Sequence, residues 1–586
     1  MSTASGLAET ALTANRNVAA RLFQQAIERP DAVAIREPKN ARGPCRYVET
    51  TFRELADSVQ DYMFGLQQLG ITRGTRVVVM VPPSRELIRL VYALLGMGAV
   101  MVLVDPGMGI RNLGKCLAEA QPEAFLGIWK AQIARRLFGW AKSTLKVSLT
   151  ISQNPSGTTG RLAVPASGKT STLFFPQTDD PAAVLFTSGS TGVPKGAVYT
   201  HGIFASQVEQ LHSIFGIAPG DIDLCTFPLF ALFAPALGMT SIIPRMDFTR
   251  PAKVSPWEIT RPAIAFRATN LFGSPALLNR VGRGVELLAI RLQQFRADPK
   301  TLDGELDKVA RLPAIRRVLS AGAPVSAEIL ERFLKLIPAD AQIYTPYGAT
   351  ESLPVAVIGS REVLEETRQK TSQGAGTCVG RPVPEIEVKI IRISDVPIAE
   401  WSDELMLPTG EIGEICVYGP VVTQEYFRRP ELTALAKIPD PARGRKWHRM
   451  GDVGYFDAQG RLWFCGRKSQ RVVTATRTYF TDPVEGIFNT HPAVFRTALV
   501  GITRGGQVEP VLCVELERRA KPPAKGEITR ELLEMGAKIE MTRSIREILF
   551  HRAFPVDIRH NSKIFREKLA VWAQRRIAPG ETPQKK

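Results

Sequence analysis

From about Asn17 onward the chain alternates stretches of helical periodicity with short apolar runs, and this alternation constrains its fold more than any other feature. Apolar residues recur at helical spacing over 18–26, 52–65 and 85–95, whereas 76–80 and 99–104 are short and almost wholly apolar. A pattern that switches period in this way calls for strands covered by helices, so an α/β fold with parallel sheets is expected. Further strand-like runs fall at 182–186, 270–272, 317–320, 342–345 and 414–418, each read as ending in a turn rich in Gly, Pro or Ser. Open α/β sheets bind ligands outside the carboxyl ends of their strands, so the chemistry is expected at those turns. No 20–50-residue period repeats, which sets aside solenoids and propellers.

At 586 residues the chain exceeds one ordinary core of roughly 100–200 residues. Two units are expected: a large one over 1–466 and a small, mobile α/β lid over 467–586, with the boundary at Gly466-Arg467-Lys468. In the small unit a strand-like 471–473 precedes Asp482-Pro483, read as helix cap and first helical residue. Segment 151–180 is expected to be an exposed connection, the polar stretch 298–307 to end a surface insertion, and 580–586 to fray. The longest apolar stretch, 90–104, contains two glycines and is shorter than the roughly 18 residues of a membrane span, so it reads as a helix running into a buried strand. The first residues carry no basic end followed by an apolar run, so a cytoplasmic protein is expected.

Seven scattered cysteines without a C-x-x-C pair argue against a zinc site or a disulfide framework and for buried, reduced thiols. Lys and Arg exceed Asp and Glu by 75 − 57 = 18, a field that draws nucleotides, anionic lipid, acidic proteins or nucleic acid. A basic cluster over 130–146, interleaved with Trp129, Leu137, Phe138 and Trp140, reads as a surface helix with solvated cations; a helix lying on a membrane surface is the alternative.

The most informative string is TSGSTGVPKG at 187–196, directly after the apolar run 183–186. Thr187, Ser188, Gly189, Ser190, Thr191 and Gly192 supply hydroxyl and backbone N–H donors for phosphate oxygens, and Lys195 adds a cation. The order of glycines and lysine is not that of a P-loop. A flexible Ser/Gly turn is the plainer reading of such a loop taken alone.

This string resembles the phosphate loop of the acyl-adenylate-forming superfamily, and four further stretches match that family in the same order. Tyr347-Gly348-Ala-Thr350-Glu351 resembles its Y-G-x-T-E element, which implies an adenine-stacking ring, a phosphate contact from Thr350 and Mg²⁺ ligation by Glu351. Ser320-Ala-Gly322-Ala323-Pro324 resembles the adenine loop. Gly451-Asp452 and Gly466-Arg467-Lys468 resemble the ribose-binding aspartate and arginine and the hinge lysine, and Asn561-Ser-Lys563 resembles the C-terminal catalytic lysine motif. The resemblance implies ATP and Mg²⁺ as cofactors, and Lys563, Thr350 and Glu351 as catalytic residues. Neither a G-x-S-x-G elbow nor an H-E-x-x-H helix is present, which disfavours hydrolase and zinc-protease readings.

The sequence departs from CoA-using members of that family. The glycine that lets pantetheine pass beside the backbone falls at Thr476, and no glycine occurs between Arg467 and Glu485; a Cβ there obstructs close approach. The P-L-x-H element ends in Ala231 instead of histidine, and Ser562 stands where many relatives have glycine. These changes, with strings such as FPLFALFAPALG and FPVDIRHNSKI, resemble the branch that forms β-lactones in bacterial long-chain olefin synthesis. That resemblance implies a 2-alkyl-3-hydroxy fatty acid as substrate, its own hydroxyl as acceptor, and partner enzymes of the same pathway. Phe227, Phe230, Leu232, Phe233, Leu237, Leu271 and Phe272 are candidates for an acyl pocket, ordinary core packing being the alternative for each. His201 is a candidate base by its place after the phosphate loop, with a structural role as the alternative. Open alternatives are an acyl-CoA synthetase, an enzyme loading an acyl carrier protein, and, from another class, a nucleic-acid-binding protein, against which stands the lack of any zinc-finger, RNP or basic-region signature.

Overall fold

The computed structural model describes residues 16–39, 46–152, 171–188, 194–227, 232–295, 311–517, 523–556 and 564–578. A six-stranded sheet runs in the order Val147–Thr150, Ala124–Gly127, Arg76–Met80, Val100–Val104, Pro181–Ser188 and Pro194–Thr200. Its first five strands are parallel and the last is antiparallel. Helices Val18–Glu28, Phe52–Gln68 and Arg85–Gly96 bury Leu22, Leu55, Val59 and Leu90 in the main core beside this sheet. Their starts are written locally: Thr51 and Glu54 form a reciprocal capping box, and the Ser84 hydroxyl accepts from the Leu87 N–H.

The second sheet has 14 strands and is mixed. Val33–Pro38, Thr240–Ile242, Ile222–Cys225, Asn270–Phe272, Arg317–Leu319 and Gln342–Ala349 are parallel neighbours. Beyond them Ser352–Gly359, Thr377–Pro382, Leu462–Arg467, Arg445–Phe456, Gly413–Tyr418 and Glu387–Ile391 continue antiparallel. The expectation of parallel sheets therefore holds for only part of the molecule. In the antiparallel half, Gln342–Ala349 with Ser352–Gly359 and Arg445–Phe456 with Leu462–Arg467 are joined by short reversals, and the other pairs bring together strands separated by longer connections, so no regular helix–strand alternation marks them in the sequence. After 467 a three-stranded sheet, Val494–Arg504, Gln507–Leu516 and Glu547–Phe550, packs with helices Thr481–Phe488, Lys525–Ala537 and Arg566–Ile577 as a small α/β region.

Three local expectations need correction. The strand expected over 342–345 continues to Ala349, so Tyr347 and Gly348 lie on a strand and not in a turn. Asp482 is not a cap: the helix opens at Thr481, and the Asp482 carboxylate instead accepts from the Thr377 and Thr481 hydroxyls at 3.4 and 3.3 Å. Of the segment expected as an exposed connection, 153–170 lies outside the described residues, but its end is pinned, with Asn17 and Gly96 bonded to the Phe174 backbone. Segments 298–307 and 580–586 also lie outside the described residues. The six described cysteines are buried and free. No helix among the described residues is long and apolar enough to cross a membrane.

Candidate active site

The strands Pro181–Ser188 and Pro194–Thr200 form a hairpin in which Thr187 pairs with Lys195 and Ser188 with Pro194. Gly189, Ser190, Thr191 and Gly192 lie outside the described residues. Lys195 stands at the base of the hairpin, its ammonium 5.0 Å from the centre of the Tyr426 ring. Burial pushes its pKa down against the opposing pull of Glu351, and the charges of Arg467 and Lys468 add to the lowering. A partly desolvated cation at this place is short of anionic partners, which phosphate oxygens would supply.

A second hairpin, Gln342–Ala349 with Ser352–Gly359, carries Thr350 and Glu351 in its turn. Gly348 is required sterically, because a Cβ there would stand 2.5 Å from the Ser352 carbonyl oxygen. The turn is clamped from both sides. Tyr199 donates its hydroxyl to the Thr350 carbonyl at 2.5 Å, and Thr423 donates its N–H to the Glu351 carbonyl at 2.9 Å. The Glu351 carboxylate accepts from the Tyr426 hydroxyl at 2.6 Å. Beneath it, buried Lys437 donates to the Thr423 hydroxyl at 3.1 Å and to its carbonyl. Burial pushes the Lys437 ammonium down to about 7.

Asp452 and Arg467 face each other across the strands Arg445–Phe456 and Leu462–Arg467, and their side chains pair at 2.7 Å. The Tyr347 hydroxyl donates to the other Asp452 oxygen at 2.6 Å, so ring, carboxylate and guanidinium form one chain. Burial raises the Asp452 pKa while Arg467 pulls it down, and Glu351 lies close enough to act on both residues electrostatically. Gly322, Ala323 and Pro324 follow the strand Arg317–Leu319, whose Leu319 pairs with Tyr344 of the strand that carries Tyr347. Gly322 has φ +96°, a conformation that favours glycine. The adjacent Ser320 hydroxyl is buried with no hydrogen-bond partner among the described residues.

Lys195, Tyr347, Thr350, Glu351, Asp452 and Arg467 are thus brought together, with Gly322, Ala323 and Pro324 on the neighbouring strand end. Lys563 lies outside the described residues. Of the acyl-pocket candidates, Phe227 stacks on Phe272 at 5.0 Å beside the end of the strand Arg317–Leu319; Phe272, Leu237 and Leu271 are buried core residues, Phe227, Leu232 and Phe233 are partly buried against that core, and Phe230 lies outside the described residues. His201 does not serve as a base here. It is fully buried, edge-on to Phe174 at 5.7 Å, with neither ring nitrogen hydrogen-bonded among the described residues.

The position of His201 carries a pH signature. Burial lowers its pKa from 6.5 to about 4, so between those values the unfolded chain binds a proton that the folded chain does not. The contribution of His201 to stability therefore rises with pH through this window, by about 3 kcal/mol in all. Buried Asp223 and Asp482, both raised to about 7, act in the opposite direction, so the prediction is a difference: the unfolding free energy of wild type minus that of His201→Phe is expected to rise between pH 4 and 7 in denaturant titrations.

Tyr199, Thr423, Tyr426 and Lys437 were not legible as site residues, nor was the buried anchor of the boundary lysine. Lys468 pairs with Glu414 at 3.0 Å and donates to the Ser394 carbonyl at 2.7 Å, while Arg449 holds the other Glu414 oxygen at 2.7 Å. None of these residues stands in a local motif. Strand neighbours distant in sequence position them, a signal that a single chain does not display.

The chain is 49% identical over 570 residues to an olefin beta-lactone synthetase of Xanthomonas campestris, covering 96% of this chain and 98% of that protein. It is 50% identical over 568 residues to the protein of that name from Stenotrophomonas maltophilia, covering 95% and 98%. Among solved structures, the amide bond synthetase McbA of Marinactinospora thermotolerans superposes with a TM-score of 0.73 at 22% identity, covering 95% of this chain and 99% of that one. ATP-bound MatB of Rhodopseudomonas palustris gives 0.72 at 20%, covering 96% and 99%. These two show the shared fold. The AMP-binding enzyme model matches residues 22–427, which include the hairpin of Pro181–Ser188 with Pro194–Thr200 and the turn that carries Glu351, and the chain belongs to the AMP-binding enzyme family.

Proposed function

We propose that this protein activates a long-chain 2-alkyl-3-hydroxy fatty acid with ATP and closes it to a β-lactone. The observation that carries this reading is near-full-length similarity to two olefin beta-lactone synthetases. In the first step a carboxylate oxygen forms a bond to the α-phosphorus of ATP, the α–β phosphoanhydride bond breaks and pyrophosphate leaves. In the second the 3-hydroxyl oxygen attacks the acyl carbon, AMP leaves and the hydroxyl proton passes to solvent or a base. Enforced proximity of a nucleophile within the same molecule offsets the strain of a four-membered ring.

The chain's own groups fit the first step. Tyr347 offers a ring to adenine, Asp452 and Arg467 face the ribose, and Lys195 with Thr187 and the loop residues hold phosphate oxygens. The Glu351 carboxylate, fixed by Tyr426 and the Thr423 clamp, suits Mg²⁺, which commonly takes one or two carboxylates and completes its shell with phosphate and water. Mg²⁺ supplies charge neutralisation on the phosphates when bound. Lys563 is assigned the charge on the reacting carboxylate and phosphate, brought there when the region after 467 closes about Lys468. The stacked Phe227–Phe272 pair offers an apolar wall for the acyl chain.

The acceptor follows from a departure in the small region. Strands Val472–Val473 and Thr478–Tyr479 form a hairpin whose turn is closed by Thr474, which accepts from the Arg477 N–H at 3.1 Å and donates to its carbonyl at 2.9 Å. Thr476 sits in that turn in place of the glycine that would admit pantetheine, which supports an internal nucleophile over CoA. A 2-alkyl acid lacking the 3-hydroxyl tests this reading. With ATP and no CoA it is expected to release one pyrophosphate per active site and then stall as bound acyl-adenylate, whereas the 3-hydroxy acid turns over. Sustained turnover of the deoxy acid would contradict the proposal.

A further inference from the structure

The helix Trp129–Phe138 lies beside Val147–Thr150, the edge strand of the six-stranded sheet. Its inner side is fixed: Ala131 and Ala134 pack against the core, and buried Gln132 donates to the Leu149 carbonyl at 2.6 Å and accepts from the Ser148 hydroxyl at 2.8 Å. Its outer side is apolar. Trp129 is 59%, Ile133 56% and Leu137 74% exposed. At about 100° per residue these three positions, each four apart, make a stripe about 80° wide. Arg136 and Lys130, both exposed, fall immediately to either side of that stripe. The Lys130 ammonium lies 5.5 Å from the Trp129 ring centre.

From this helix to the edge strand the described charges have one sign, from Lys130, Arg135, Arg136, Lys142 and Lys146. Between Glu123 and Asp179 the sequence holds seven Lys and Arg residues and no Asp or Glu. Glu123 itself is paired with Lys146 at 3.0 Å and Arg76 at 3.6 Å. A solvated helix gains nothing from exposing Trp, Ile and Leu in register. A bilayer interface suits the set: the three side chains enter the acyl boundary, the flanking cations extend to lipid phosphates, and tryptophan favours the headgroup level. An acidic protein partner would match the charge, but such an interface usually excludes cations from its apolar centre and requires a shaped counterpart.

We propose that the helix Trp129–Phe138 docks this protein on the surface of anionic lipid membranes. It lies at the sheet edge opposite the Pro194–Thr200 strand, five strand spacings or roughly 24 Å from the phosphate hairpin, so docking leaves the site open. If the proposed function holds, the surface would also present a substrate with two alkyl tails where it partitions; that consequence alone rests on that reading.

Vesicle flotation of the full-length protein tests the inference without reference to activity. The wild type is expected to float with vesicles of 30% phosphatidylglycerol in phosphatidylcholine, to bind pure phosphatidylcholine less, and to be released as salt is raised. Replacing Trp129, Ile133 and Leu137 together by Ser is expected to lower partitioning by more than about tenfold. ATP–pyrophosphate exchange in detergent-free buffer and the circular dichroism melt should stay unchanged, which separates docking from folding. A second variant, Lys130→Glu with Arg136→Glu, should lose binding to anionic vesicles while keeping the apolar stripe. Equal binding by wild type and both variants would overturn the inference, as would no flotation by the wild type. A dimer that the Ser variant abolishes, with no lipid binding, would assign the face to a second copy and overturn it too.

Discussion

Glu351→Gln is expected to slow ATP–pyrophosphate exchange by roughly 10³-fold, the loss of several kcal/mol of transition-state charge stabilisation. The substitution keeps the size of the side chain and an oxygen that can accept from the Tyr426 hydroxyl, which now bonds the carboxylate at 2.6 Å. It leaves untouched the main-chain clamp from Thr423, so the turn should keep its place. What disappears is the negative charge, the one property that a metal-bridged triphosphate needs from this position. The effect should therefore fall on kcat with little change in KM for the fatty acid or in denaturant midpoint. An exchange rate within about threefold of wild type would remove Glu351 from the metal-binding role.

Glu414→Ala is expected to cost about 3–5 kcal/mol of stability. Glu414 and Arg449 are each 1% exposed and paired at 2.7 Å, and Lys468 holds the second carboxylate oxygen at 3.0 Å. Removing the carboxylate leaves a buried guanidinium facing only the Val396 and Leu435 carbonyls at 2.8 and 2.9 Å and that of Ser394. It also leaves the boundary lysine held by the Ser394 carbonyl alone among the partners named above. Glu414→Gln, which restores an acceptor without the charge, should lose less. Urea unfolding followed by tryptophan fluorescence reads both, because Trp447 is buried in the same strand as Arg449. A loss below about 1 kcal/mol for the alanine variant would show that the cluster relaxes or admits water.

How far the sequence reveals this arrangement depends on the range of the interactions. Helices such as Phe52–Gln68 announce themselves through the Thr51–Glu54 box and an apolar stripe, both local. The phosphate hairpin, Tyr347, Asp452 and Arg467 are legible because their residue types and neighbours form strings specific to a family. The extent of the Gln342–Ala349 strand was not legible, since Pro346 and Gly348 read as turn residues and only pairing with Ser352–Gly359 holds them extended. Tyr426, Thr423 and Lys437 escaped for the same reason: each reaches Glu351, directly or through another residue, across the fold. His201 shows the converse: close in sequence to the loop, it is fully buried, which fits the structural reading of it.

The central claim is that the acceptor lies within the substrate. The most direct measurement incubates the purified protein with ATP, Mg²⁺ and a synthetic 2-alkyl-3-hydroxy fatty acid, with and without CoA, and identifies the organic product by NMR. A β-lactone and AMP are expected in equal amounts, at a rate indifferent to CoA. A thioester that appears only when CoA is present would contradict that claim and make the protein an acyl-CoA synthetase.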